Sequence, residues 1–391
     1  MARWGVPEPV VALARDARRV LRRAGVRGVD GSWPPVGSSP DPSAAVRLLI
    51  GGANFAGQAW AWARTADRLD GVSARSFTVR RGGFPFPSDL DVPVARLADP
   101  RWQRAQERWV LASFTHGLVE SFRPVLGDAH GSDCRGDLEV LRAGGLDLAL
   151  VAHGSDVRQP SLHAATYPRS PFRGAGAEGE YVAKLERQAA RNRETAARFE
   201  GPVFVSTPDL LDFVPGATWL PTVRDLASWE QAATGRGVLE RERPLVLHVP
   251  TNPRLKGTAE IDAAMQQLEA EGLVEYQRVQ GVAPEDMPAL VARADVVVDQ
   301  VALGLYSLTA VEAMAAGRLV VAHVPEHVRA RTPVPLPVLE ADGATLYEAV
   351  RAALADRDAA RSRAAEGPAY ARAVHDGARS AEVLAGWLSG P

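Results

Sequence analysis

Lysine is almost missing from this chain. Lys184 and Lys256 are its only two, and the other 43 of its 45 cationic side chains are arginine. Cysteine is scarcer still: Cys134 alone cannot close an internal disulfide, which excludes a disulfide-stapled secreted scaffold and fits a reducing, cytoplasmic compartment. No apolar run approaches the roughly 18 residues of a membrane span. The opening MARWGVPEPVVALARDARRV also lacks the unbroken apolar core of a signal peptide. Net charge is close to absent, with 47 acidic against 45 basic residues giving −2, which argues against a dedicated nucleic-acid binder. HExxH, a cysteine pair and GxSxG are missing too, so neither a zinc site nor a serine hydrolase is expected and no metal ligand is assigned. The Asp89/Asp91 and Asp356/Asp358 pairs read as surface rather than as metal ligands.

What is present is the composition of a globular protein. Across 391 residues, 46% are hydrophobic and 24% charged, enough to bury two domain cores. Residues 9–24 carry Val10, Leu13, Ala14, Ala17, Val20, Leu21 and Ala24 on one helical face, with arginines over the rest. That helix either docks on the protein's own surface or lies peripherally on an anionic membrane surface, on the cytoplasmic side. A Gly, Pro and Ser-rich stretch at 27–43 reads as a linker. Strands are expected at 46–50, 72–79, 109–114, 146–152 and 203–205, with helices starting near Gly57 and lying near 136–143 and 179–199. The pattern then restarts, with strands at 245–249, 274–280, 295–299 and 319–323 and helices at 258–271, 285–293 and 308–316. Alternation of this kind means parallel sheets covered on both faces, so the fold class is α/β with two Rossmann-like domains facing a cleft. The expected divisions are 1–43 for the N-terminal helix and linker, 44–222 and 223–368 for the two domains, and 369–391 for a last helix.

Four loops could carry chemistry. GGANFAGQ at 51–58 follows the first strand, where Gly51 and Gly52 allow either tight packing or close approach of a ligand. It is not GxGxxG, and Gln58 and Ala59 replace the Lys and Ser/Thr of a P-loop. HVPTNPRLKGT at 248–258 sets Arg254 and Lys256 just before a helix, a plausible phosphate cradle in a chain that elsewhere prefers arginine. DQVALGLYSLTAVEAMAAG at 299–317 joins a strand to a helix. Glu312 there reads either as a capping-box partner of Thr309 or as a carboxylate for ligand hydroxyls. Finally, His116 and His153 follow expected strands, and ligands of parallel sheets gather outside strand carboxyl ends. His130, His163, His323 and His327 read as structural.

At these loops the chain resembles the glycosyltransferases of GT-B fold, family 4 above all, over roughly residues 46–390. The resemblance rests on LVLHVPTNPRLKGT, RADVVVDQ and AVEAMAAGRLVVAHV, supported by GGANFAGQ, AHGSDVR and VSTPDLLDFVPGATWLP. It implies a retaining hexosyl transfer from a nucleoside-diphosphate sugar, without a bound metal or other cofactor, to an acceptor that is a glycan, a lipid-linked sugar or a small molecule. By position, Arg254 and Lys256 match cations on the donor diphosphate, and Glu312 matches the second glutamate of E-x7-E, on the donor ribose. Ser307, Leu308 and Thr309 would offer the helix amino end to the diphosphate. Either His153 or His116 matches the active-site histidine, and a helix at 370–388 would cross back to the first domain. Gly304 stands where the motif has its first glutamate, and Tyr306 and Ser307 replace part of Gly-Phe-Gly. Two alternatives therefore stay open: a GT-B nucleotide-sugar epimerase, and a degenerate transferase kept as a scaffold or binding subunit.

Overall fold

The computed structural model describes residues 33–80, 84, 86–174 and 179–390; the amphipathic stretch at 9–24 lies outside them. The first half builds β1 (Val46–Gly52), α1 (Gln58–Ala66), β2 (Val72–Arg80), β3 (Leu90–Pro93), α2 (Pro100–Ser113), β4 (His116–Glu120), α3 (Arg135–Ala143) and β5 (Asp147–Ala152). It ends with α4 (Pro160–Thr166), α5 (Glu180–Arg198), β6 (Val203–Val205) and β7 (Thr218–Trp219). Its seven strands are all parallel, in the order β3-β2-β1-β4-β5-β6-β7. The second half builds α6 (Ala227–Ala233), β8 (Leu245–His248), α7 (Pro253–Lys256), α8 (Thr258–Ala270), β9 (Glu275–Arg278), α9 (Met287–Arg293), β10 (Val296–Val298) and α10 (Leu308–Ala315). After it come β11 (Leu319–Ala322), α11 (Glu326–Arg329), β12 (Leu339–Glu340), α12 (Leu346–Ala355), α13 (Arg357–His375) and α14 (Ala378–Leu388). Its five strands are also parallel, in the order β12-β11-β10-β8-β9.

The strands read as unbroken apolar runs because both faces of each sheet are covered. Leu48 and Ile50 of β1 join Leu118, Ala149 and Val151 in one core, while Leu49 between them joins Val119, Leu148 and Leu150 in another. The second sheet repeats this, with Val296 and Val298 on one side and Val297 on the other. Strand order reverses between β1 and β4 in the first sheet and between β8 and β10 in the second. A crevice opens at such a point because the flanking crossovers leave on opposite faces. The loops after β1, β4, β8 and β10 are therefore where a ligand would meet this backbone.

Several expectations need correction. Residues 109–114 are not a strand but the end of α2, whose buried face is Trp102, Gln106, Trp109 and Val110. That face recurs at helical spacing, and the apolar cluster at its end imitates a strand. His116 consequently opens β4 instead of following a strand, and lies at the opposite end of the sheet from the ligand crevice. The glycine- and proline-rich segment before β1 is not a free linker where it is described. Trp33 packs edge-on to Trp102 and Trp109, its Nε1 donates to Gln106 (2.9 Å), and Trp109 Nε1 donates to Ser39 (3.0 Å). Asp89 is half-buried and accepts from the backbone N–H and hydroxyl of Ser76 (2.7 and 2.9 Å).

The expected last helix is two. α13 packs on α10 so tightly that a Cβ on Gly367 would lie 2.8 Å from the Met314 carbonyl oxygen. The chain breaks at Gly377, in left-handed conformation (φ 103°), and α14 then returns to the first sheet. There Leu384, Trp387 and Leu388 join the core of Leu48, Ile50 and Trp62. Trp387 Nε1 donates to Asp147 (3.0 Å), and the Ser380 hydroxyl donates to the Pro221 carbonyl (2.8 Å). Trp387→Ala should lower unfolding stability by about 3–5 kcal/mol, the usual cost of emptying a buried aromatic site. Chemical denaturation measures it, and a loss below about 1 kcal/mol would mean α14 is not a structural strap.

Candidate functional site

On the first sheet the crevice is organised by Glu120, a residue the sequence reading passed over. It ends β4, has no exposed surface, and divides its two oxygens. Oε2 accepts the backbone N–H groups of Ala53 and Asn54 (3.1 and 2.8 Å), which fixes the loop after β1. Oε1 meets His153 Nε2 at 3.0 Å. A carboxylate partner assigns the proton to Nε2, leaving Nδ1 as the acceptor. The His153 ring stacks on Trp62 and meets the edge of Phe55. Its backbone N–H donates to Asp156 (2.9 Å), which also takes the Ser121 hydroxyl (2.6 Å). The loop itself is strained: Asn54 and Ala56 have φ of 49° and 50°.

Gly51 and Gly52 answer to packing. A Cβ on Gly51 would lie 2.3 Å from the Phe77 ring, and one on Gly52 3.3 Å from Arg123 Cβ, with φ already at 108°. His116 is corrected here as well. Its Nδ1 meets the Thr115 hydroxyl (2.9 Å) and its ring meets the edge of Trp387, so it braces the returning helix. Burial depresses its pKa.

On the second sheet, Lys256 is a buried cation. It ends the short α7, whose cap is the Asn252 side chain accepting from Leu255 N–H (3.3 Å), and it is only 8% exposed. Its Nζ donates to Asp299 Oδ1 (2.6 Å) and to Ser307 Oγ (3.1 Å). Asp299 also accepts from the Ser307 hydroxyl (2.5 Å) and backbone N–H (2.7 Å). Burial would raise the Asp299 carboxyl, but Lys256 and Ser307 together hold it below the ordinary value. His248, at the end of β8, bonds the Val298 carbonyl and Thr258 hydroxyl (both 2.8 Å) and ties the two strand ends to α8. Arg254 is exposed on the same short helix.

Glu312 is not a capping-box residue. Ser307 is the N-cap of α10, so Leu308 and Thr309 are its first two residues and Glu312 lies two residues beyond the capping-box position. Its partner is Arg224, Nη2 to Oε1 at 2.9 Å, while Arg224 Nη1 donates to the Ala56 carbonyl (3.1 Å). One guanidinium thus joins the loop after β1 to α10. Burial pushes the Glu312 carboxyl up to about 7 and outweighs Arg224 and Lys256, which pull it down. The structure brings Gly51, Gly52 and His153 together on one sheet, Lys256, Ser307, Leu308, Thr309 and Glu312 together on the other, and links the groups through Arg224.

Solved structures with this architecture include glycosyltransferases. Sucrose-phosphate synthase from Thermosynechococcus elongatus is 14% identical over 87% of this chain and 97% of its own, with a TM-score of 0.55. HepE from Anabaena, solved with UDP-glucose, is 15% identical over 88% and 99%, at 0.54. WaaG, a glycosyltransferase of lipopolysaccharide biosynthesis, is 15% identical over 88% and 100%, at 0.53. The fold is GT-B. No family model matches the chain, and no curated protein matches it.

Gly304 lies in the loop between β10 and α10. It is in left-handed conformation (φ 72°), and a Cβ there would lie 2.5 Å from the Tyr167 ring. The phenol donates to Asp212 (2.6 Å), and His163 Nε2 meets the Leu303 carbonyl (3.1 Å). No side chain other than hydrogen fits while Tyr167 is in place.

Lys256→Ala strands a buried carboxylate and should cost about 3–5 kcal/mol, most of which Lys256→Ala/Asp299→Ala should return. Denaturation of the three proteins measures it; an unchanged single variant would mean the pair is not buried in solution. Glu312 binds a proton in the native state up to pH about 7, but in an unfolded chain only up to 4.5. Between those values the native state holds more protons, so its stability falls as pH rises and is level outside the window. Glu312→Gln cannot titrate. From pH 4.5 to 7 the wild type should lose on the order of 3 kcal/mol more than the variant; parallel profiles would place the carboxyl near its ordinary value.

Proposed function

We propose that the protein is a glycosyltransferase that takes its sugar from a nucleoside diphosphate, with retention of configuration and without a resident metal. The observation that carries this reading is the convergence of both crevices. A histidine held by a buried carboxylate faces the first sheet's crevice, Lys256 and the amino end of α10 border the second, and Arg224 spans them. Arg254, Lys256 and the N–H groups at 307–309 would meet the diphosphate, and Glu312 the ribose hydroxyls. As the bond from anomeric carbon to phosphate oxygen breaks, charge grows on the departing phosphate. Preorganised cations and helix N–H groups stabilise that charge more than they stabilise the ground state. In a front-face reaction the acceptor oxygen attacks from the leaving-group side and its proton passes to the departing phosphate oxygen. His153 would orient the donor sugar through its Nδ1. The bound UDP-glucose of HepE supports a uridine nucleotide as the first donor to test. The acceptor is a glycan, a lipid-linked sugar or a small molecule.

A second reading is a catalytically silent binding subunit, favoured by Tyr167 filling the space at Gly304. A screen of nucleoside-diphosphate sugars for transfer and hydrolysis separates the two. With the donor identified, His153→Ala should lower turnover about 10²-fold, the cost of a misplaced donor sugar. Glu312→Gln should weaken nucleotide affinity about tenfold at pH 8, by exchanging a charged acceptor for a neutral one. Nucleotide binding without turnover of any donor would favour the silent subunit, and unchanged affinity would remove Glu312 from the site.

A further inference from the structure

Asp299 sits directly after β10, at the reversal of strand order, and is 1% exposed. Its carboxylate receives the Lys256 ammonium, the Ser307 hydroxyl and the Ser307 backbone N–H. A lysine ammonium and the N–H at a helix amino end are the donors that a ligand phosphate seeks. Here they already hold an anion. The adjoining cation Arg224 is likewise occupied, by Glu312. A phosphate that reached Lys256 with Asp299 still in place would share one ammonium with a second anion, in surroundings too dry to screen them.

We propose that Asp299 is an internal anion seated where a ligand phosphate would bind, and that it sets the affinity of the cleft by competing for Lys256 and Ser307. This rests on reading the cleft as a nucleoside-diphosphate site. A bare phosphate or diphosphate must displace the carboxylate with nothing further to gain. A whole nucleotide sugar adds contacts at Glu312 and at the first sheet, so it displaces Asp299 more readily. Asp299 thus acts as a filter that favours the complete donor over small anions.

Titration calorimetry of the full chain at pH 8 tests this, with inorganic pyrophosphate and with UDP, GDP and ADP as probes. Asp299→Asn keeps an oxygen for the Ser307 N–H and removes the charge. It should bind pyrophosphate at least tenfold more tightly than wild type, and its melting temperature should rise further on adding pyrophosphate. Asp299→Ser is the second variant, should the asparagine protein not fold. Affinity equal to or weaker than wild type in a folded variant overturns the proposal. So does a wild-type dissociation constant for pyrophosphate below about 1 μM, since the seat would then be open. Tighter pyrophosphate binding with no response to any nucleotide supports the internal anion and removes the nucleotide reading. Nucleotide binding by wild type that neither variant improves removes the internal anion alone. Failure of every probe on every protein overturns both.

Discussion

Arg224 is the residue on which the two halves depend. Its guanidinium bonds the Ala56 carbonyl of the first half and Glu312 of the second, and its backbone N–H donates to the His375 carbonyl at the end of α13 (2.9 Å). The residues before it are held as firmly. The Gln58 side chain accepts the Val223 N–H (2.8 Å) and donates to its carbonyl (3.2 Å), and Trp62 Nε1 donates to the Pro221 carbonyl (2.9 Å). A connection that could have been a tether is thus a clasp. The His153 crevice and the Lys256 crevice are held in register by hydrogen bonds rather than by apolar contact alone.

The cations of the cleft are met by carboxylates of the same chain. Lys256 is met by Asp299 and Arg224 by Glu312, at 2.6 and 2.9 Å. Desolvated charges are costly unless paired, and in every case the partner comes from a different strand or loop. Each pair therefore fixes a tertiary relationship as well as a charge. The arrangement is preorganised in geometry but offers little surplus positive charge to an arriving anion.

Much of the fold is legible in the sequence because parallel strands covered on both faces are written as short apolar runs. The strands β1, β2, β5, β6, β8, β10 and β11 and the helices α1, α3, α5, α8, α9 and α10 fall where the pattern indicates. Residues 109–114 mislead because Trp109, Val110 and Phe114 put the buried end of a helix into a strand-like cluster, and His116 is displaced with them. The site is legible in part. Glycines, a rare lysine and a histidine after a strand locate the crevices, since each marks a loop. Their partners are invisible in one dimension. Asp299 lies 43 residues from Lys256, and Glu120 lies 33 from His153. The Thr309 and Glu312 spacing imitates a capping box, but the N-cap is Ser307 and the register is wrong. Glu120 left one signal, a carboxylate ending an apolar strand, where burial demands a partner.

The loop between β10 and α10 joins the Lys256 crevice to the seam between the halves. The Gln300 side chain locks that loop, accepting from Ala302 and Leu303 N–H (2.9 and 2.7 Å) and donating to the Leu305 and His323 carbonyls. Rigid as it is, it projects Leu303 and Leu305 into a cluster with Phe172, Val182 and Leu185 of the first half. Asp212 adds polar contacts across the same seam, to His327 (3.0 Å) and Arg331. Separating the halves would expose two leucines worth about 1.5–3 kcal/mol each, a cost comparable to that of breaking a single charge pair. Neither term alone dominates. The Tyr167 ring against Gly304 and its bond to Asp212 (2.6 Å) lie in the same seam, so apolar and polar terms hold the two halves together in one place.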